Sequence, residues 1–83
     1  PCDVRLVRQM IHQCFTERRK KLRTTLKRAP KRINRVAGWH NARWKDAYAA
    51  HADDERMEAR PEEFELDDWI SLAVSFVDST LDS

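Results

Sequence analysis

The chain has 83 residues, enough for one small domain, and 41% of them are hydrophobic, which suffices for a modest core. One glycine and three prolines exclude collagen-like and low-complexity architectures. No apolar run approaches the ~20 residues that a membrane-spanning helix needs, and no signal peptide is visible, so we expect no membrane partner. The chain begins at Pro1, so we expect a processed product or a piece of a longer protein.

The net charge of +2 conceals a strong asymmetry along the chain. Residues 1–36 hold twelve Lys and Arg against two acids, whereas residues 53–83 hold eleven Asp and Glu against two Arg. A basic half of this kind indicates an anionic partner. The alternative is that the two halves mainly neutralise each other. Exposed ion pairs contribute only about 0–1 kcal/mol each, so stability does not decide between these interpretations.

The first segment has the spacing of an amphipathic helix, with apolar residues at i, i+3, i+4, i+7 and i+8. Asp3 can cap it, because a carboxylate is stabilised at the positive end of a helix. We predict a helix from Val4 to Phe15, with Cys14 as a reduced, buried thiol on its apolar face. Cys2, near the chain start, is expected to be free. The apolar residues are Val7, Met10, Ile11, Cys14 and Phe15.

Two arrangements are compatible with the residues that follow. A single helix through residue 28 would continue the apolar stripe, but it would place Arg18 within that stripe, where a guanidinium must reach solvent or find a partner. A break is favoured instead, because Thr16 can cap a new helix and Glu17 would lie in its first turn. We therefore predict a second helix over residues 17–28, which Pro30 ends.

On that predicted second helix, cations and leucines lie on opposite faces. Leu22 and Leu26 would face the core, while Lys20, Arg23 and Lys27, at i, i+3 and i+7, would form an outward ridge. The ordinary interpretation is a solvated lysine face. Against it, the positive run continues through the next loop with Lys31, Arg32 and Arg35.

The middle of the chain is predicted to be a loop followed by a third helix. Residues 29–40 contain the only glycine and read as an irregular segment that Ile33, Val36 and Trp39 anchor on the core. Asn41 is a plausible N-cap for a helix over residues 42–51. Three aromatic residues lie near the basic run and could stack RNA bases, but in so small a domain a role in the core is favoured. They are Trp39, Trp44 and Tyr48.

The last segment predicts one helical turn at residues 60–64, with proline at its start, and then a helix from Leu66 to about Thr80. Its apolar face is expected to pack on the first two helices. The predicted buried stripe consists of Trp69, Ile70, Ala73, Phe76 and Val77. The fold class is therefore all-α, a small bundle of about four to five helices with basic N-terminal helices packed against an acidic C-terminal helix.

Several chemistries are not supported by the sequence. One glycine cannot build a phosphate-cradling loop, and the histidines lack metal-ligand spacing with Cys2 or Cys14, so no metal site is expected. Neither cysteine has a partner for nucleophilic catalysis. The adjacent acids at 62–63 and 67–68 lie near helix starts, where capping explains them better than acid–base chemistry. These residues predict a small binding module with an anionic partner, RNA first.

A resemblance sharpens this prediction. Residues 15–27, from Phe15 through Arg18-Arg19-Lys20 to Leu22 and Leu26-Lys27, resemble the Phe-x-x-Arg-Arg-Lys-x-Leu-x-x-x-Leu-Lys signature that opens the C-terminal domain of the ribosomal RNA adenine N6,N6-dimethyltransferases. Residues 60–73 are similar to the family's closing Arg-x-Glu-Glu-Leu-Ser-Leu-Glu-Asp-Phe pattern. Glu65 departs from the usual Ser or Thr cap, and residues 29–57 match nothing in that domain.

The resemblance implies a parent enzyme that uses S-adenosylmethionine to dimethylate two adjacent adenosines near the 3′ end of small-subunit rRNA. Residues 1–83 would be its single helical C-terminal domain, which docks on the small ribosomal subunit. The Rossmann-like catalytic domain, with its glycine-rich loop and Asn-x-Pro-Tyr motif, is absent from this sequence. The implied domain is a cytoplasmic monomer that holds no catalytic residue or cofactor and has its own catalytic domain as a second partner.

We expect Lys20, Arg23 and Lys27 to contact RNA phosphates, which position a protein without reading sequence. The second choices are Arg19, Lys21, Arg28, Lys31 and Arg32. Arg18 is expected to be structural, bridging the bend to a carboxylate of the C-terminal segment. The other residues with an expected structural role are Phe15, Leu22, Leu26 and Trp69.

Two functions from other classes remain open. One is a protein-interaction module, in which the acidic C-terminal half binds a basic partner or the domain packs against its own catalytic half. The other is a DNA-binding helical domain, because a paralogue of the resembled family became a mitochondrial transcription factor.

Overall fold

The computed structural model describes residues 3–81, within which all regular structure is helical and no strand occurs. These residues form four α-helices, namely α1 (Val4–Phe15), α2 (Leu22–Thr25), α3 (Asn41–Ala50) and α4 (Leu66–Ser79). The same part of the chain contains three 3-10 helices, which span Ile33–Arg35, Glu55–Glu58 and Pro61–Glu63. The prediction of a small all-α bundle is therefore confirmed, and the turn at residues 61–63 begins with proline as expected. No helix in the described part of the chain has both the length and the apolar character to span a membrane.

Helix α1 has the predicted bounds and the predicted cap. The Asp3 carboxylate accepts a hydrogen bond from the Arg5 backbone N–H at 2.8 Å. The Cys14 thiol is free and buried, and this burial raises its pKa to about 12, so it stays protonated and acts as a small hydrophobic side chain. Cys2, expected to be free, lies outside the described residues. The buried residues of α1 are Leu6, Val7, Met10 and Cys14.

The predicted second helix over residues 17–28 is wrong in extent. The chain leaves α1 after Phe15 as expected, but residues 16–20 form turns and only Leu22–Thr25 is α-helical. A long-range contact accounts for the late start, because the Leu22 backbone N–H donates to the Ala59 carbonyl at 2.9 Å. Glu17 does not serve a helix N-terminus and instead holds side chains further along the chain. Leu22 and Leu26 are both fully buried.

Helix α4 packs on α1 and α3, and not mainly on the first two helices as predicted. Its buried face consists of Trp69, Leu72, Ala73 and Phe76, which are spaced i, i+3, i+4 and i+7. Ile70 lies at the edge of that stripe and is 39% exposed, so its predicted burial is wrong. The reason is geometric, since residue 70 is rotated about 100° around the helix from Trp69.

Helix α3 and the loop before it complete the core. The loop anchors Ile33, Val36 and Trp39 are buried as predicted. The N-cap is His40 and not Asn41, because the His40 ring nitrogen Nδ1 accepts the Arg43 backbone N–H at 3.2 Å. Gly38 adopts a φ of 81°, the left-handed conformation that glycine tolerates best.

Trp44 is the central side chain of this core. Its ring lies 5.1 Å from that of Phe76 and 6.1 Å from that of Trp39, in edge-to-face geometry. Its indole Nε1–H donates to the Leu26 carbonyl at 2.8 Å, in a fully buried position. The hydrogen bond links α3 to the end of α2. It also satisfies the carbonyl at the C-terminus of α2, which has no hydrogen-bond donor within that helix.

Asp54 and Arg56 connect the 3-10 helix Glu55–Glu58 to α4. The Asp54 carboxylate accepts the Arg56 backbone N–H at 2.9 Å, which caps the 3-10 helix Glu55–Glu58. It also accepts from the Arg56 guanidinium at 2.6 Å, while that guanidinium donates to the hydroxyls of Ser71 and Ser75. The hydrogen bonds from Arg56 hold the pKa of Asp54 below its usual value.

We expect Asp54→Asn to lower the free energy of unfolding by about 1 kcal/mol at pH 7, because the amide loses the charge-assisted hydrogen bonds from Arg56. The folded-state pKa of Asp54 is depressed, so this stabilisation is present above the unfolded pKa of about 3.9 and is lost as pH falls through the lower folded value. Urea unfolding at pH 7 and pH 3 should show the difference shrinking at the lower pH. The exposed neighbour Asp53 provides a control as Asp53→Asn, and equal costs at the two positions would contradict the prediction.

Candidate nucleic-acid interface

The cations of the predicted ridge do not share one helix. Lys20 lies in the turn before α2, Arg23 lies within α2, and Lys27 follows its end. The i, i+3, i+7 row therefore does not exist as a continuous helical face. The reason is the shortness of α2, since the row required an unbroken helix from residue 17 to residue 28.

Glu58 binds two of the predicted contacts. Its carboxylate accepts from Lys21 Nζ at 3.0 Å and from Arg23 Nη1 at 2.8 Å. The Lys21 hydrogen bond, together with the nearby charge of Arg23, holds the pKa of Glu58 below its usual value. All three side chains are about half exposed, so the pairs are weak in energy but neutralise charge locally. Sequence reasoning missed Glu58, because no local pattern links it to cations 35 and 37 residues away.

Glu17 performs a similar role on the other side of α2. Its carboxylate accepts from Arg28 Nη2 at 3.0 Å and lies 3.9 Å from Lys20 Nζ. The Arg28 hydrogen bond is the main reason that the pKa of Glu17 is lowered. Glu17 therefore connects the turns at residues 16–20 to the segment after α2. Arg18, which was expected to make such a bridge, is exposed and forms no ion pair with any carboxylate among residues 3–81.

The remaining cations that were predicted to contact RNA form no ion pair within residues 3–81. Each is exposed, and none has a carboxylate within 4.0 Å in the part of the chain that the structure describes. They are Arg19, Lys27, Lys31 and Arg32. Arg8 on α1 shares this condition, although sequence reasoning did not single it out. The position of Arg8 on the exposed side of an amphipathic helix was the available signal.

An open groove of about 940 Å³ lies between α1 and the segment that follows α2. Helix α1 contributes one wall, and residues 28–32 contribute the other. No Asp or Glu occurs among the described residues that line it. The basic side chains that line it are Arg8, His12, Arg28, Lys31 and Arg32. We call this feature the basic groove.

Two glutamines of α1 hold the opposite wall of the basic groove, residues 28–32, in place; we call that wall the far wall. Gln13 Nε2 donates to the carbonyls of Thr25 at 3.0 Å and Arg28 at 2.7 Å, and Gln9 Nε2 donates to the Arg32 carbonyl at 2.9 Å. We call Gln9 and Gln13 the glutamine latch. The two residues are one helical turn apart, a pattern that by itself reads as an ordinary solvated face. The Gln9 Oε1 atom is buried and has no hydrogen-bond partner among residues 3–81.

The aromatic residues near the basic run serve mainly the fold. Trp39 and Trp44 are buried and cannot offer a face to a base, as the preference for a core role predicted. Tyr48 is half-buried, and its hydroxyl donates to the Arg23 carbonyl at 2.7 Å. Phe15, expected in the core, is 44% exposed and lies against Trp69 with a ring distance of 6.2 Å. Phe15 and Trp69 therefore meet at the surface end of the α1–α4 contact.

Arg43 is also occupied within the fold. Its guanidinium lies 4.2 Å from the centre of the Trp39 ring, and it donates to the Thr80 hydroxyl and to the Gly38 carbonyl. This cation on α3 therefore braces the C-terminal end of α4 and adds nothing to the basic groove.

Residues 3–81 bring together no group of three His, Cys, Asp or Glu side chains that could hold a metal ion. No family model, no curated protein and no solved structure matches the chain.

Proposed function

We propose that the chain is an RNA-binding module that docks on ribosomal RNA through phosphate contacts. The observation that carries this proposal is that eight of the twelve Lys and Arg residues in the basic half have no carboxylate within 4.0 Å among residues 3–81. Among the described residues, Glu58 is the single carboxylate of the acidic half that lies within 4.0 Å of a cation from the basic half. The exposed positive surface therefore remains available to an external polyanion.

The carboxylates of the acidic half have other uses. The Glu63 carboxylate accepts the Arg60 backbone N–H at 3.0 Å, and the Asp68 carboxylate accepts the Glu65 backbone N–H at 2.9 Å. These are capping contacts at the starts of Pro61–Glu63 and α4, as the sequence predicted for the adjacent acids. The alternative in which the two halves mainly neutralise each other thus lacks support in the contacts.

The finer proposal is that the chain is the docking domain of a cytoplasmic rRNA adenine dimethyltransferase. It is supported by the sequence resemblance of residues 15–27 and 60–73, in that order along the chain. In that enzyme S-adenosylmethionine would belong to the separate catalytic domain, and no residue of this chain is assigned to it. The partners would be the small ribosomal subunit and that catalytic domain.

The test is RNA affinity as a function of salt. Wild-type chain should bind a hairpin from the 3′ end of small-subunit rRNA with log Kd rising linearly with log salt concentration. The double variant Arg19→Ala/Lys27→Ala should bind roughly tenfold more weakly, and its salt slope should fall in magnitude by about 2. The control Lys45→Ala removes one exposed cation from α3 and should leave the slope unchanged.

Three outcomes would overturn the proposal. Absence of RNA binding by the wild-type chain at low salt is the first. Tighter binding to duplex DNA than to the hairpin at matched salt would favour the DNA-binding alternative. Binding to the catalytic domain or a basic protein that shifts NMR signals only in residues 60–83, with no response to RNA, would favour the protein-interaction alternative.

A further inference from the structure

We propose that the basic groove is the seat of an RNA backbone segment, with Arg8, Lys31 and Arg32 contacting its phosphates. The inference rests on the proposed function and deepens it by naming the site. It also adds a residue of α1, Arg8, to a set that was confined to residues 19–32.

Cationic side chains lie on both walls of the basic groove. Arg8 lines the groove from α1, and Lys31 and Arg32 line it from the other side. An anion between the walls would receive donors from both. Arg28 also lines the groove, but the Glu17 carboxylate holds it at 3.0 Å, so it is less available.

No carboxylate among the described lining residues balances the positive charge of the basic groove. Like charges that face one another across a groove repel, and none of its described lining residues is acidic. The glutamine latch holds the loop against α1 with neutral amides, so the approach of the two walls adds no negative charge. A bound polyanion would relieve the repulsion, and its released counterions would add to the affinity.

The size and lining of the basic groove suit a ligand larger than a single anion. Its volume of about 940 Å³ is in the range of roughly 300–1,000 Å³ found for pockets that hold drug-sized ligands, so it exceeds the needs of a single phosphate ion. Arginine offers a planar fork that matches phosphate oxygens, and lysine offers a point charge. Ala29 and Pro30 supply an apolar part of the lining between these cations. A linked chain of phosphates and sugars fits this combination better than a free anion.

The test compares charge reversal at two positions of the same helix. Arg8→Glu should weaken binding of the rRNA hairpin by roughly 10- to 100-fold at about 0.1 M salt, because a contact is lost and a repulsive charge enters the groove. Arg5→Glu makes the same change in net charge three residues earlier on α1, at an exposed position outside the groove lining. It should weaken binding only a few-fold. Inorganic phosphate at millimolar concentration should compete poorly with the hairpin.

A second measurement covers the case in which a variant fails to fold. In the wild-type chain, NMR titration with the hairpin should shift the side-chain amides of Gln9 and Gln13 and the ring signals of His12. If Arg5→Glu and Arg8→Glu weaken binding equally, or if these signals stay still while the hairpin binds, the groove is not the site. RNA binding that remains sensitive to Arg19→Ala/Lys27→Ala would then leave the proposed function intact. Loss of all RNA binding by the wild-type chain would refute both proposals.

Discussion

Trp44→Phe is expected to lower the free energy of unfolding by about 2–4 kcal/mol. The indole Nε1–H of Trp44 donates to the Leu26 carbonyl in a fully buried position, and phenylalanine cannot replace that donor. A buried carbonyl without a partner costs about 1–3 kcal/mol, and the smaller ring also leaves a void beside Phe76. A domain of this size has a total stability on the order of 5 kcal/mol, so the variant should approach unfolding.

Trp39→Phe is the matched control. Trp39 is also buried, but its indole makes no hydrogen bond to other groups in residues 3–81, and a phenyl ring keeps the stacking position for Arg43. It should therefore cost about 1 kcal/mol. Urea unfolding followed by circular dichroism measures both, because tryptophan fluorescence changes with the substitution itself. Equal costs for the two variants would show that the Trp44 hydrogen bond contributes little.

Gln13→Met is expected to lower the free energy of unfolding by about 1.5–3 kcal/mol. Methionine matches glutamine in length and in helix propensity but donates nothing to the carbonyls of Thr25 and Arg28. The segment after α2 should then detach from α1, and the basic groove should lose its far wall. Under the proposed function, RNA affinity should fall by several-fold while the number of cations stays the same.

Gln9→Met is the matched comparison for Gln13→Met, because it removes one hydrogen-bond donor together with one buried acceptor that has no partner in the described range. Gln9 donates one hydrogen bond to the Arg32 carbonyl, but its Oε1 atom is buried without a partner in the described range. Methionine would remove both features, and the relief of an unsatisfied acceptor should offset the lost bond. We expect a change in stability below about 1 kcal/mol. If Gln9→Met destabilised the domain more than Gln13→Met, our account of the glutamine latch would be wrong.

The carboxylates of Glu17 and Glu58 reduce the number of predicted RNA contacts that are free of an ion pair. Glu17 and Glu58 each hold two cations, and together they remove half of the predicted RNA contacts from the unpaired set. The predicted contacts that have no ion-pair partner within residues 3–81 are Arg19, Lys27, Lys31 and Arg32. The ion pairs are exposed and therefore weak, so under the proposed function an RNA phosphate would compete with either carboxylate for the paired cations. Any contribution of Lys21 or Arg23 to binding would therefore come after displacement of Glu58.

Local pattern in the sequence was sufficient for the helices that carry their own signals. Helix α1 has a capping aspartate and an unbroken apolar stripe, and α4 has acids in its first turn and a stripe of its own. Both were predicted to within a residue or so, because cap chemistry and the 3.6-residue period act within a few turns. The burial of Leu22, Leu26 and the three loop anchors followed from the same hydrophobic pattern.

Tertiary structure alone decided the extent of α2 and the layout of the candidate site. The hydrogen bond from Leu22 to Ala59 spans 37 residues, and so does the pairing of Lys21 with Glu58. No period or cap signal encodes contacts at that separation, so the predicted cationic ridge was divided in a way that sequence reasoning could not foresee. The basic groove depends likewise on amide donors of α1 that meet carbonyls 12 to 23 residues further along the chain. The sequence by itself determined the bounds of α1 and α4, which side chains are apolar and that the first half is basic, because these are local properties. The fold decided which cations are neutralised and which face a common groove, because those properties depend on distances that only packing sets.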